Sequence, residues 1–197
     1  MTENRLKYSS IAKLPTEVGE FKACCVLEPG SDKEHLLIYQ GKLENAEELI
    51  FRIHSECMTS EVFGSLKCDC RDQLKLAMKA IADQGRGAIL YLRQEGRGIG
   101  LFNKIEAYSL QDLGFNTIDA NLELGLGVDL REYDVAAAVL KDFGVKSIRL
   151  ASNNPLKIKA METLGITIAE RVPVKSRVNA HNKSYLQIKR ELMDHAI

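Results

Sequence analysis

Residues 66–82, Leu66-Lys-Cys68-Asp-Cys70-Arg-Asp-Gln73-Leu74-Lys-Leu-Ala77-Met78-Lys-Ala-Ile81-Ala82, mark the point where the chain changes character. Leu74, Ala77, Met78 and Ile81 recur at the three- and four-residue spacing that turns one helical face toward a core, which predicts a helix over 71–82. Cys70 and Gln73 then fall at or near its N-terminus, where free backbone amides favour a thiolate or a bound anion.

Upstream, residues 11–54 read as strands. Phe21–Leu27, Glu34–Gln40 and Glu48–Ile53 are short runs separated by Pro29-Gly30-Ser-Asp and Gly41, a pattern that predicts an antiparallel meander. Downstream, Gly85-Arg-Gly87 stops the helix, and the short apolar strand Ala88–Leu92 leads into Arg93-Gln-Glu95-Gly96-Arg97-Gly-Ile-Gly-Leu101. Helices are expected over 102–113, 132–143, 156–164 and 184–196, strands over 147–151 and 166–172, and an ordered loop over 117–129. The fold class is therefore α/β or α+β: a mixed sheet with surrounding helices, strand-rich in the N-terminal half and alternating in the C-terminal half.

The 197 residues suffice for one large domain or two small ones. With 27 basic and 27 acidic side chains the net charge is zero, so an anionic partner must be met by a local basic cluster. That balance, with no Trp, argues against a nucleic-acid binder. No apolar run reaches membrane-spanning length and no signal-peptide pattern follows Met1, so a cytoplasmic protein without a membrane partner is expected. Five cysteines, an odd count, favour a metal or free thiols over a disulfide framework in that compartment.

Three of those cysteines, Cys57, Cys68 and Cys70, lie close in sequence, and thiolates suit a borderline-soft ion such as Zn²⁺. Three ligands leave one position for water; with His54 as a fourth, the site would instead be closed and structural. Cys24 and Cys25 sit in an apolar strand run and point to opposite faces, which suits core positions. Elsewhere, glycines beside Arg93 and Arg97 allow close backbone approach to a phosphate or carboxylate, although the segment is neither a dinucleotide fingerprint nor a Walker loop. Asp129-Leu-Arg131 precedes a helix, as a cap with its ion partner would. Ser152-Asn-Asn-Pro155-Leu-Lys157 enters a helix through proline, exposing terminal amides to an anion or simply capping the helix. Together these modules suit hydrolysis of a phosphorylated, polar substrate.

The chain resembles the GTP cyclohydrolase II family over roughly residues 12–190. The resemblance is carried by Arg52-Ile53-His54-Ser55-Glu56-Cys57, Ser65-Leu-Lys-Cys68-Asp-Cys70 through Gln73, Gly85-Arg-Gly87, Gln94-Glu95-Gly96-Arg97 with Ile99-Gly-Leu101, Asn103-Lys-Ile105, Tyr108, Gly125 through Asp129 with Arg131, and Asn153-Asn-Pro155 with Lys157. It implies one catalytic domain over 1–197, with flexible termini at 1–11 and 191–197, and a homodimer without a fused synthase domain.

The resemblance further implies a catalytic zinc on Cys57, Cys68 and Cys70, with His54 not a ligand. Water activated there would open the imidazole ring of GTP at C8, and a second hydrolysis would release formate. Tyr108 matches the position associated with these steps, and its presence favours the complete reaction over one that stops at the formamidopyrimidine. Arg52, Ile53, His54, Ser55, Glu56, Gln73, Glu95, Gly96, Arg97, Thr117, Ser152 and Lys157 match positions lining the nucleotide site, with Mg²⁺ on the triphosphate. For loss of pyrophosphate, the family's pattern makes Arg131 the attacking group and Asp129 its base. A guanidinium is scarcely ever neutral, so Arg131 as an electrostatic clamp is the physically cheaper alternative. Departures are confined to Ser152, where threonine is common, and to the tail, Tyr185-Leu-Gln-Ile-Lys189 with Met193-Asp-His195. A nucleotide-binding domain with structural zinc is the competing class; it has no need of Tyr108 or of the Asp129–Arg131 pair.

Overall fold

The computed structural model describes residues 5–127, 129–176 and 178–192. Residues 1–4 and 193–197, within the expected flexible termini and including Met193-Asp-His195 and the end of the expected terminal helix, lie outside the described residues.

In chain order the elements are β1 (Lys7–Tyr8), β2 (Ala12–Thr16), β3 (Gly19–Leu27), β4 (Glu34–Gln40), β5 (Leu49–Ser55), α1 (Met58–Glu61), α2 (Cys70–Gln84) and β6 (Gly87–Leu92). A tight turn over Glu95–Gly98 follows, then α3 (Gly100–Asp112), α4 (Thr117–Glu123), α5 (Asp134–Asp142), β7 (Ile148–Ala151), α6 (Pro155–Thr163), β8 (Ile168–Val172) and α7 (Lys183–Leu192). The strands form one mixed sheet in the order β1-β3-β4-β6-β5-β7-β8, with β2 also paired to β3. This is the expected mixed sheet with surrounding helices, strand-rich at first and alternating later. Among the described residues no helix is long and apolar enough to cross a membrane.

The expected meander holds for β3 and β4, with β2 as an additional strand paired to β3, and breaks at β5. Strand β6 inserts between β4 and β5, antiparallel to β4 with Leu37 opposite Leu90 and parallel to β5 with Ile53 opposite Leu90. The reason is legible in β5 itself, where Leu49 through His54 are all buried. A strand covered on both faces belongs inside the sheet between parallel neighbours reached by crossovers, not at the end of a hairpin.

Side-chain alternation sorts the core into two layers. Leu37 and Tyr39, Leu49, Phe51 and Ile53, and Leu90 and Leu92 pack with Ala136, Val139 and Leu140 of α5 and Met161 of α6. Ile38, Ile50 and Ile89 face the other way, with Phe21, onto Ala77 and Ile81 of α2. Period two carries that second face of β5 on from Ile50 to Arg52 and His54, so two polar side chains continue an apolar row beyond the end of the core. Their burial must be supported by hydrogen bonds, and it is.

The expected loop over 117–129 contains a helix instead. Asn116 caps α4, its Oδ1 accepting from the amides of Ile118 (2.9 Å) and Asp119 (3.0 Å). Gly125 and Gly127 suggested a loop, but they follow the helix rather than replace it; Val128 lies outside the described residues.

Candidate active site

Parallel strands β5, β6 and β7 end on the same edge of the sheet, and each runs directly into polar sequence. Ser55 leads to Glu56 and Cys57, Leu92 to the 93–98 segment, and Ala151 to Ser152, Asn153 and Asn154. Crevices beyond the carboxyl ends of parallel strands are the usual place for a ligand in open α/β sheets. One cavity forms there, and every sequence-predicted site residue lines it except Ile53 and Asp129. The Ile53 side chain is core, but its carbonyl accepts from Lys157 Nζ at 2.8 Å. Asp129 acts on the cavity through Arg131, which it grips with both carboxylate oxygens.

The three cysteines converge as predicted. Cys57 precedes α1, Cys68 precedes α2 and Cys70 opens it, and their sulfurs all lie within 4.8 Å of one another, with Cys57 and Cys68 at 3.6 Å. Hydrogen bonding from Cys68 and Cys70 draws the Cys57 thiol far below the ordinary range, and the same contacts push Cys68 and Cys70 up. Three sulfurs this close carry three charges only around a cation, so the donor set fits a thiophilic metal ion. Lys104 of α3 adds a buried ammonium 3.1 Å from Cys57 Sγ and 2.6 Å from Glu95 Oε1.

His54 is committed elsewhere. Its Nδ1 accepts from Arg52 Nε at 3.0 Å, which fixes the proton on Nε2, and Nε2 donates to Glu61 Oε1 at 2.6 Å. Burial, outweighing the nearby Glu61, lowers its pKa to about 4, so the ring is neutral. Both ring nitrogens are thus occupied, and among the described residues the metal-binding group consists of the three cysteines.

These bonds belong to a longer buried chain. Ser176 Oγ and Gln73 Nε2 both donate to Asp69 Oδ2 at 2.6 Å, and Arg52 donates to Gln73 Oε1 at 2.7 Å and to the Ala151 carbonyl at 3.0 Å. At the far end Glu61 Oε2 accepts from Tyr91 at 2.5 Å and from the Cys57 amide at 3.3 Å. Arg52, His54 and Gln73 therefore brace the wall beneath the sulfurs.

Arg97 and Arg131 make another part of the lining cationic. Arg97, in left-handed backbone conformation (φ 63°), has both terminal guanidinium nitrogens buried without a hydrogen-bond partner among the described residues. Such buried donors call for an acceptor. Its carbonyl accepts from Leu130 N at 3.0 Å, and a Cβ on Gly98 (φ +93°) would sit 3.0 Å from the Leu130 carbonyl, so the 93–98 and 129–131 segments interlock. Arg131 donates through Nε to Asp129 Oδ1 at 2.7 Å; burial opposes its charge, but the carboxylate outweighs that and holds its pKa above the ordinary value.

The remaining candidates define the rim and floor. Glu56 accepts from Arg93 Nε at 2.7 Å, Ser55 Oγ from Gln94 at 3.1 Å, and Ser152 Oγ from the Asn154 amide at 3.1 Å. Asn154 caps α6 ahead of Pro155, as a proline entry requires, and Thr117 opens α4. Tyr108 lies 3.5 Å from Thr59 Oγ1, and its ring faces Lys67 Nζ at 4.9 Å; burial pushes its pKa up to about 12, so it is a neutral phenol.

Sequence reading passed over Glu61, Lys104 and Asp69 as functional. Lys104 stood inside the Asn103-Lys-Ile105 motif and Asp69 between two cysteines, which were usable signals. Nothing in the sequence marks Glu61, whose role depends on β5 and β6 lying side by side.

A trio of cysteine sulfurs, with Arg97 and Arg131 lining the same cavity beyond the carboxyl ends of parallel strands, defines an α/β enzyme with a metal-binding group beside a cation-lined cleft. More particularly, the chain belongs to the GTP cyclohydrolase II family, whose profile matches residues 7–173. It is 48% identical over 190 residues to a GTP cyclohydrolase-2 of Pseudomonas aeruginosa, covering 96% of this chain and 93% of that protein. It is 49% identical to one of Aeromonas hydrophila, covering 93% of each. Among solved structures, RibBX, a two-domain 3,4-dihydroxy-2-butanone 4-phosphate synthase from A. baumannii, superposes with a TM-score of 0.50 at 17% identity. That match covers 89% of this chain but 42% of the synthase, and shows likeness of fold alone.

Proposed function

We propose that this chain hydrolyses GTP, opening the imidazole ring at C8 and releasing formate and pyrophosphate to give 2,5-diamino-6-(5-phosphoribosylamino)pyrimidin-4(3H)-one, the first committed step of riboflavin biosynthesis. The observation that carries the proposal is the convergence on one cavity of the three cysteine sulfurs and the Arg97 guanidinium, whose buried terminal nitrogens have no hydrogen-bond partner among the described residues. Family membership supplies the nucleotide; the geometry supports where its two ends would lie.

Zn²⁺ held by Cys57, Cys68 and Cys70 would supply Lewis acidity that activates water for both hydrolyses. Tyr108 has a protonated hydroxyl available to donate to oxygen as charge develops at the reacting carbon. Arg97 receives the triphosphate, which Mg²⁺ accompanies. Arg131, held charged by Asp129, clamps the developing phosphoryl charge while water attacks the α-phosphorus. A nucleophilic Arg131 would first have to lose a proton that the bidentate carboxylate retains, and this supports the clamp over a covalent phosphoguanidine. Arg52, His54 and Gln73 act by bracing the metal-side wall, and Ser55, Glu56, Glu95, Gly96, Thr117, Ser152 and Lys157 complete the nucleotide site. The enzyme is proposed to be a single catalytic domain, homodimeric and cytoplasmic.

The test is incubation of zinc-loaded protein with GTP and Mg²⁺, followed by separation of formate, pyrophosphate and the pyrimidine. All three appearing together supports the assignment, whereas GTP binding without turnover sinks it. Arg131→Ala should chiefly impair pyrophosphate release, and an Arg131 trapped on acid quench with the nucleoside monophosphate joined to its guanidinium would overturn the clamp.

A further inference from the structure

Among the described cations of the cavity, Lys104 is set apart by a hydrogen bond to a cysteine sulfur. A buried lysine is uncommon and needs a partner, which Glu95 provides at 2.6 Å. An ion pair alone would leave the contact with Cys57 Sγ, at 3.1 Å, unexplained. Glu95 is itself fixed by the Met58 amide on Oε2 (2.7 Å) and the Gly96 amide on Oε1 (3.0 Å), so its charge is shared among three donors. The anchor is rigid: Gly96 packs so close to Lys104 that an added Cβ would lie 3.2 Å from the Lys104 Cβ. The result is a carboxylate–ammonium–thiolate chain that crosses from the 93–98 turn through α3 to the metal-binding group.

We propose that Lys104 is a positioning residue of the metal centre: held by Glu95, its ammonium donates a hydrogen bond to Cys57 Sγ and draws electron density from that thiolate. The proposal rests on the metal reading above. Three thiolates outweigh a divalent cation by one negative charge, and so electron-rich a centre is a poor Lewis acid. A charge-assisted hydrogen bond to one sulfur reduces its donation, as outer partners of metal ligands commonly do. It also assigns Glu95, a sequence-predicted nucleotide contact, to the support of Lys104.

The test uses the Co²⁺-loaded protein, in which thiolate-to-cobalt charge-transfer absorption reports how tightly each sulfur holds its electrons. Lys104→Met should shift that band to lower energy and reduce GTP turnover by about 10–100-fold, the usual range for losing an outer-shell partner, with KM for GTP little changed. Lys104→Arg should restore the band energy. If the methionine variant does not fold, Lys104→Gln takes the same measurement. An unmoved band in a folded neutral variant, or unchanged turnover, overturns the role of Lys104. A wild-type protein that takes up no Co²⁺ with thiolate character overturns instead the metal reading on which it rests.

Discussion

Replacing Glu61 by alanine removes the acceptor for three donors at once: His54 Nε2 at 2.6 Å, the Tyr91 hydroxyl at 2.5 Å and the Cys57 amide at 3.3 Å. The carboxylate is 8% exposed, so water reaches it poorly. His54 cannot turn its proton away, because Nδ1 is already accepting from Arg52. Each buried donor left without a partner costs about 1–3 kcal/mol, and one trapped water would return part of the sum, which leaves about 3–5 kcal/mol. Arg52, its pKa lowered to about 10 by burial, also loses one of the negative charges that oppose that shift. For a chain of this size the loss corresponds to a melting temperature lower by about 6–20 °C, at about 2–4 °C per kcal/mol. Urea and thermal unfolding followed by circular dichroism, with metal chelated so that ligand binding does not mask the effect, measure it directly. Glu61→Gln keeps one carbonyl acceptor and should lose roughly half as much. If Glu61→Ala unfolds within about 0.5 kcal/mol of the parent, the ordinary range for a surface change, the buried network is not what holds this wall.

Cys68→Ser should abolish both zinc retention and ring opening, since a hydroxyl is a poor ligand beside two thiolates; metal analysis with formate release checks it, and unchanged turnover rejects a catalytic metal there. Gly98→Ala puts a Cβ 3.0 Å from the Leu130 carbonyl at φ +93°, so it should displace the Asp129–Arg131 segment and impair pyrophosphate release more than metal retention, readable as a product ratio. His35 is buried, with Nδ1 accepting from the Arg93 amide at 3.0 Å and Nε2 3.5 Å from Glu28 without a hydrogen bond. Burial lowers its pKa below the ordinary 6.5 despite Glu28. The unfolded chain therefore takes up the proton more readily, and the stability that His35 contributes is present above about pH 6.5 and lost as pH falls below it. Urea midpoints at about pH 7.5 and 5.5 should show this loss, and His35→Asn, whose amide oxygen can still accept from Arg93, should show less of it.

What the sequence revealed and what it hid divide along a physical line. Helix α2 was legible because one face of it is read by local spacing, and the sulfurs were legible because few residue types bind soft metals. The insertion of β6 between β4 and β5 was not, since pairing depends on which faces are covered, and only the two-sided burial of β5 hinted at it. That same insertion makes the site. Placing β6 beside β5 brings Tyr91 to Glu61 and sets Glu95 against the Met58 amide, while the pairing of β5 with β7 brings the Ala151 carbonyl to Arg52. A chain folded as the simple meander would keep every motif residue and lose the juxtaposition of sulfurs and arginines. The residues of the centre can therefore be named from sequence, whereas the supports that orient them, Glu61, Asp69 and Lys104, are properties of strand order.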